Sequence, residues 1–257
     1  MLSQPQRDEF EQCGVVRLRG AFGEADAARM RERLWKALSD EWGIQPGRPE
    51  TWSVRQPTGL QPLRRSSVFE ALGSPVLAAA LDDLLGAGCW RAPKRWGSPL
   101  VTFPSGSHWD VPSKQWHLDI PARGAARPLF LVRILALLDR LEPRGGGTLV
   151  VVGSHALVER LVAAGANTRH SKDVLRALAR MSPWLRDLCS DASGDDRIRR
   201  FMVEAAVVGD VVTRVVELTG EAGDVFLMHP WQLHGPSPNC GTSPRLMLSE
   251  SILRSRG

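Results

Sequence analysis

The feature that most constrains the fold of this chain is a change of pattern after Ala92. Beyond it, short runs rich in valine, leucine and phenylalanine alternate with glycine and proline, which is typical of the strands of a β-sandwich or barrel. We predict strands at residues 100–103, 129–138, 148–152, 207–218, 225–228 and 246–253. The second part of the chain is therefore expected to be mainly β.

Helical patterns precede and interrupt this β region. Residues 24–42 carry apolar side chains with mainly helical spacing, and residues 4–12 and 68–85 are also predicted to be helical. A charged helical insertion, in which Ser154 is a candidate N-cap ahead of His155, separates two groups of strands that should belong to one sheet system. Such an excursion from a rigid scaffold is a common place for substrate contacts.

We expect one domain over residues 1–257. Residues 1–92 would form a mainly helical N-terminal support, and residues 93–257 a β core with a helical cap at about 154–200. A length of 257 residues is compatible with a single barrel or sandwich unit.

Composition excludes several classes of protein. No apolar run approaches the roughly 18 residues of a membrane-spanning helix, and the polar N-terminus does not resemble a signal peptide. The four cysteines are scattered without CxxC spacing, which favours a reducing cytoplasm. The net charge is +5, but its arginines are interleaved with acids, so we expect a solvated surface and no nucleic-acid partner.

The segment HWDVPSKQWHLD contains two candidate halves of a metal site. His108 with Asp110 and His117 with Asp119 each place an imidazole two residues from a carboxylate. On an extended chain this spacing directs both side chains to one face. Spacing alone leaves open which triplet binds a metal.

A third ligand and an anion-binding residue are available far downstream. The segment GDVFLMHPWQLHGPSPNCGTSPRLML contains His229, His234 and Arg245. Two histidines and one carboxylate form a facial triad, which leaves three positions of an octahedral iron open. A guanidinium near such an ion could pair with the far carboxylate of a bound keto-diacid.

Four segments, in this order, resemble the phytanoyl-CoA dioxygenase family of Fe(II)/2-oxoglutarate oxygenases. They are DEFEQCGVVRLRGAF, WHLD, LLDRLEPRGGGTLVVVGSH, and GDVFLMHPWQLHGPSPN followed by PRLML. The resemblance spans nearly the whole chain. It implies a double-stranded β-helix, the cupin-like jelly roll, with N-terminal helices and a helical insertion.

The resemblance also implies roles for particular residues. His117, Asp119 and His234 would be the metal ligands, and Arg245, eleven residues after His234, would bind 2-oxoglutarate. His229 would be a packed histidine, because an offset of five residues places it on the opposite face of an extended chain from His234. The His108 triplet would then lie in a polar loop near the mouth of the site.

The implied reaction uses Fe(II), 2-oxoglutarate and O2 to hydroxylate an aliphatic C–H bond of a small molecule, with succinate and CO2 as coproducts. The substrate would be a natural-product intermediate, an amino acid or an acyl thioester. Asp119 favours hydroxylation, since related halogenases lack this carboxylate. The alternative is a cupin-like metal-dependent hydrolase or isomerase that does not use 2-oxoglutarate and has no need of Arg245.

Other residues are candidates for substrate contact. Arg133 interrupts an apolar run, so its face either meets solvent or lines the cavity and binds an anionic group. Trp116 and Trp231 flank the predicted ligands, with core packing as the default explanation and contact with substrate as the second. One departure from the family lies after His234 and Gly235. The family commonly has a serine directly after this glycine, whereas here Pro236 takes that position and Ser237 follows it.

Overall fold

The computed structural model describes residues 1–119, 122, 128–191 and 196–255. The α-helices in chain order are α1 (Gln4–Cys13), α2 (Glu24–Trp42), α3 (Pro75–Leu85), α4 (Ser154–Ala163), α5 (Ser171–Met181) and α6 (Pro183–Leu188). Short 3-10 helices span Pro49–Thr51, Gln61–Arg65 and Ser67–Leu72, and a π-helical turn spans Arg199–Val203.

The strands are β1 (Val15–Leu18), β2 (Ser98–Thr102), β3 (Leu131–Leu137), β4 (Thr148–Val151), β5 (Ala206–Val208), β6 (Val211–Thr213), β7 (Val215–Glu217), β8 (Val225–Met228), β9 (His234–Pro236) and β10 (Arg245–Leu253). They form a five-stranded sheet in the order β1-β8-β3-β10-β2, a three-stranded sheet in the order β7-β4-β9, and the hairpin β5-β6. All of these pairings are antiparallel. The chain is thus mainly β with flanking helices, as expected.

The two larger sheets pack against each other through a shared apolar core. It includes Leu135 and Leu137 of β3, Phe226 of β8, Met247 of β10 and Val150 of β4. Alternate residues along a strand point to opposite faces, so each strand supplies every second side chain to this core. This two-sheet arrangement is the double-stranded β-helix, or jelly roll, that the sequence predicts.

The outer face of the five-stranded sheet is covered by the N-terminal helices. Val132, Ile134 and Ala136 of β3 share one core cluster with Met30 and Leu34 of α2. Burial on both faces explains why residues 129–138 are an almost continuous apolar run. The N-terminal region also contributes β1, which pairs with β8, so it adds a strand to the sheet as well as helical support.

The helical cap packs on the three-stranded sheet through a separate core. Leu149 of β4 and Leu157 of α4 lie in this cluster. So do Trp116 and Leu118, on either side of His117, and Leu233, which precedes His234. The cap is therefore in direct contact with the chain around His117 and His234. Cap residues 192–195 lie outside the described residues. No helix in the described ranges is long and apolar enough to span a membrane.

The predicted elements are confirmed with three corrections. The predicted strand at residues 207–218 is three short strands, β5 to β7, and β9 was not predicted. Ser154 is not the N-cap of α4, because Gly153 occupies that position in a left-handed conformation. The Ser154 hydroxyl instead accepts a hydrogen bond from the backbone N–H of Leu233 (2.8 Å), which connects α4 to the segment before His234.

A buried arginine fastens the cap to the loop that precedes His117. The Arg197 guanidinium, 7% exposed, donates hydrogen bonds to the carbonyls of Val111 (2.7 Å), Pro112 (3.2 Å) and Leu188 (2.7 Å). It also lies over the Phe201 ring, 4.8 Å from its centroid. Hydrogen bonds from a charged donor in a buried setting are stronger than neutral ones. Arg197 therefore joins two segments that are distant in sequence.

We predict that Arg197→Met lowers the free energy of unfolding by about 2–4 kcal/mol, because buried carbonyls lose a charged donor. Equilibrium urea unfolding measures this change. The matched control is Arg199→Met in the same segment, whose side chain is 61% exposed and whose ion pairs are screened by solvent, so this substitution should have a much smaller effect. Equal effects of the two substitutions would contradict a specific role for Arg197.

Candidate metal centre

Two histidines that are far apart in sequence are joined by backbone hydrogen bonds. His117 and His234 form an isolated antiparallel bridge. The His117 N–H donates to the His234 carbonyl (2.8 Å), and the His234 N–H donates to the His117 carbonyl (3.1 Å). Their imidazole rings lie 4.4 Å apart between centroids. The bridge thus places both rings side by side at the start of β9.

Each of these imidazoles is oriented by the carbonyl two residues before it. His117 Nδ1 lies 2.8 Å from the Gln115 carbonyl oxygen, and His234 Nδ1 lies 2.9 Å from the Gln232 carbonyl oxygen. A carbonyl only accepts hydrogen bonds, so each Nδ1 must carry a proton. In the neutral imidazoles the Nε2 lone pairs are then available to a metal.

Asp119 is the third candidate ligand. Its Oδ1 lies 3.6 Å from His117 Nε2, and its Oδ2 lies 3.6 Å from His234 Nε2. One donor atom from each of the three residues lies within 4.8 Å of the others. Burial opposes ionisation of Asp119, but hydrogen bonds from His117 and His234 Nε2 in the metal-free protein, together with the charge of Arg133, outweigh it and hold the pKa of this carboxyl far below its usual range. A bound metal cation would take the place of the Nε2 protons. The carboxyl is therefore an anionic donor.

The other histidine triplet lies outside this cluster. His108 is exposed and lines a surface cavity with Asp110, Asp191 and Arg197. His229 is buried, and its ring packs 4.9 Å from that of His155 between centroids. Among the described residues, His117, Asp119 and His234 are the one group of metal-binding side chains that converges.

Arg245 is buried at the start of β10. Its guanidinium donates to the Gly146 carbonyl (2.8 Å) and to the Thr102 hydroxyl (2.9 Å), whereas its Nε has no hydrogen-bond partner among the described residues. Burial lowers the pKa of Arg245 to about 10, and the charge of Glu217 opposes that shift. An arginine still protonated at neutral pH and lacking a partner at Nε can accept an anionic ligand.

A glycine-rich turn positions the carbonyl that Arg245 binds. Glu217 accepts hydrogen bonds from the N–H groups of Arg144 (2.7 Å) and Gly147 (2.9 Å), which hold the turn in place. Burial raises the pKa of the Glu217 carboxyl. Gly146 has a φ of +86°, and a Cβ there would lie 2.8 Å from Asn239 Cβ, so this position requires glycine.

The three residues suggested for substrate contact are in different settings. Arg133 lies beside the candidate metal ligands, with its Nε 3.0 Å from Asp119 Oδ2. Trp116 and Trp231 are 4% and 0% exposed and belong to the core under the cap, so their contact with a substrate stays a prediction. The hydroxyl of Ser237, the serine displaced by Pro236, accepts a hydrogen bond from Trp109 Nε1 (2.7 Å).

Sequence reasoning missed the residues that support the ligands. Gln115 and Gln232 both precede a ligand histidine by two residues, in the triplets QWH and QLH, and this repeated spacing was a usable signal. Their backbone carbonyls form the contact, however, so any residue could serve. Thr102, Glu217 and Ser251 approach the site only through strand pairing, which no local pattern reveals.

Cavities near the site are of two sizes. A small cavity of about 10 Å³ is lined by Asp119, Arg133, Met228, His229 and Ser251, among others. A larger one of about 200 Å³ lies between α1, α3 and α4 and includes His229 but none of the three ligands. The convergence of donor atoms, rather than cavity size, therefore identifies the candidate centre.

Comparison with solved structures finds the same fold over nearly the whole chain. HygX from Streptomyces hygroscopicus, with nickel and 2-oxoglutarate bound, is 16% identical with a TM-score of 0.59 over 99% of this chain and 88% of that one. AviO1 from Streptomyces viridochromogenes Tue57 is 16% identical with a TM-score of 0.60 over 98% of this chain and 96% of that one.

A third similar structure is the epimerase SnoN in complex with Fe3+, alpha ketoglutarate and nogalamycin RO. It is 17% identical with a TM-score of 0.57 over 98% of this chain and 83% of that one. No sequence among curated proteins matches significantly. At these identities the structures share the fold. The sequence model of the phytanoyl-CoA dioxygenase (PhyH) family, in contrast, matches residues 10–247, and the chain belongs to this family.

Proposed function

We propose that this chain is an Fe(II)- and 2-oxoglutarate-dependent dioxygenase that hydroxylates an aliphatic C–H bond of a small molecule. The observation that carries the proposal is the convergence of His117, Asp119 and His234. The buried Arg245 is a second, independent observation that supports it. The whole chain would act as one catalytic domain in the cytoplasm, with the cap at about 154–200 covering the site.

The donor set fits an iron ion. Two neutral imidazoles and one carboxylate are the facial triad of non-haem Fe(II) oxygenases, which leaves three positions open. Bound iron with 2-oxoglutarate and O2 would supply the oxidising chemistry. The roles of this chain are to hold the triad with two carbonyl-anchored histidines and to keep water from the reacting C–H bond.

Arg245 supports the choice of 2-oxoglutarate as co-substrate. Its Nε is buried without a hydrogen-bond partner among the described residues, and a guanidinium binds a carboxylate through two parallel N–H donors. Because Gly146 and Thr102 already fix the orientation of the guanidinium, the ordering cost on binding the far carboxylate is small. A hydrolase or isomerase without a keto-diacid would leave this donor unused.

A second outcome for the same centre is 2-oxoglutarate-dependent epimerisation. The similar structure SnoN is described as a non-heme alpha ketoglutarate dependent epimerase. Hydroxylation inserts an oxygen atom from O2 into the product, whereas epimerisation only inverts a carbon. Mass spectrometry of a product formed under labelled O2 would separate the two.

We predict that anaerobic titration of 2-oxoglutarate into the Fe(II)-loaded protein produces the weak visible charge-transfer band of the chelate. His117→Ala should abolish the band, because one ligand of the triad is lost. His108→Ala is the matched control, since it removes the same side chain from the other His-x-Asp triplet and should leave the band intact.

The result also separates the two proposed classes of enzyme. A folded, iron-bound wild-type protein without the band would exclude 2-oxoglutarate as co-substrate and favour the metal-dependent hydrolase or isomerase. A band lost in His108→Ala but kept in His117→Ala would show that the metal binds at the His108 triplet. That result would contradict our assignment of the metal to His117.

We further predict that Arg245→Gln weakens 2-oxoglutarate binding by about 30-fold or more, because loss of one partner of a buried charged pair costs about 2–5 kcal/mol. Fe(II) affinity should stay at the wild-type value, and Arg245→Lys should recover part of the loss. Isothermal titration under anaerobic conditions measures both affinities. Arg140→Gln, with a side chain that is 64% exposed, is the control. Unchanged 2-oxoglutarate affinity in Arg245→Gln would contradict the assigned role.

A further inference from the structure

Arg133 is a charged residue in an apolar strand. Its guanidinium contacts Asp119 and Ser251, two other residues of this chain. Arg133 lies in β3, on the inner face that also carries Leu135 and Leu137. Its Nε is 3.0 Å from Asp119 Oδ2, and its Nη1 donates to the Ser251 hydroxyl (2.9 Å). Ser251 is the cross-strand neighbour of Arg133 on β10. The guanidinium is therefore held by the sheet and directed at Asp119.

The three ligands differ in how they are held. Both histidines are fixed twice, through the backbone bridge and through Nδ1, as described above. Apart from the two imidazoles, the contact that holds the Asp119 carboxylate within the described ranges is Arg133. The Asp119 side chain is 27% exposed, so packing alone does not fix the rotation of its carboxylate.

That rotation matters because a carboxylate can bind a metal ion through one oxygen or through both. Three protein donor atoms leave three open positions on an octahedral ion. A keto acid chelated through two atoms would take two of them, and O2 would need the third. If both oxygens of Asp119 were bound, one open position would be lost.

We infer that Arg133 is a positioning residue that keeps Asp119 a one-oxygen ligand. By pairing with Oδ2, the guanidinium leaves Oδ1 for the metal and preserves the third open position. This inference rests on the proposed function. It differs from the role of Arg133 as an anchor for an anionic substrate, because the guanidinium already forms an ion pair with Asp119 and donates a hydrogen bond from Nη1 to Ser251.

The experiment counts water molecules on the bound metal, with Mn(II) as a paramagnetic substitute for Fe(II) and without 2-oxoglutarate. We expect Arg133→Met to lower the water-proton relaxivity of the Mn(II)-loaded protein by about a third, because three open positions become two. Arg133→Lys should restore the wild-type relaxivity, since an ammonium can still pair with Oδ2. Ser251→Ala, which removes only the support of Arg133, should give a smaller decrease.

Arg140→Met is the control, because Arg140 follows β3 but is 64% exposed and pairs with Glu142. Wild-type relaxivity in Arg133→Met would overturn the inference, and a raised KM for an anionic substrate in that variant would assign Arg133 to substrate binding instead. Complete loss of Mn(II) binding in Arg133→Met would also overturn it, since Asp119 would then need Arg133 in order to bind at all.

If the proposed function is wrong, the experiments will give a different set of results. Wild-type protein that binds Mn(II), loses it in His117→Ala and does not bind 2-oxoglutarate would exclude the oxygenase. The relaxivity of Arg133→Met would still test the inference in that case, because the measurement needs only the metal.

Discussion

The candidate centre depends on a pair of backbone hydrogen bonds between His117 and His234. These residues are distant in sequence, and their backbone groups bring them together at the start of β9. The carbonyls of Gln115 and Gln232 then fix both rings through Nδ1. Because a backbone group takes part in each of these contacts, the geometry of the two imidazoles depends on the backbone pairing. The jelly roll is in this sense the scaffold of the metal site.

Charged side chains, rather than backbone pairing alone, fix the positions of Asp119 and Arg245. Asp119 is held by Arg133, and Arg245 is held by Gly146 and Thr102. Glu217 fixes the glycine-rich turn that carries the Gly146 carbonyl. Each of these supports comes from a strand of the two main sheets or from the turn before one. A buried arginine is costly unless its donors are satisfied, so these contacts both stabilise the fold and orient the groups that would meet a ligand.

Much of this arrangement could be predicted from the sequence. The elements that were missed or wrongly predicted have physical causes. Apolar periodicity located α2 and β3, because burial on one or two faces leaves a direct pattern. The ligand set came from a family resemblance, since His108 and His117 are locally equivalent. β9 was missed because it is only three residues long and contains glycine and proline. Ser154 was misassigned because its hydroxyl bonds to Leu233, a contact that exists only in the folded chain.

The packing of the cap has a consequence for local stability. The chain neighbours of His117 and His234 include Trp116, Leu118 and Leu233, which lie in the same apolar core as the cap helices. Local unfolding of the cap would therefore expose the apolar side chains beside both imidazoles to solvent. We accordingly expect the backbone amides of the cap helices and of these three neighbours to exchange with solvent as one cooperative unit.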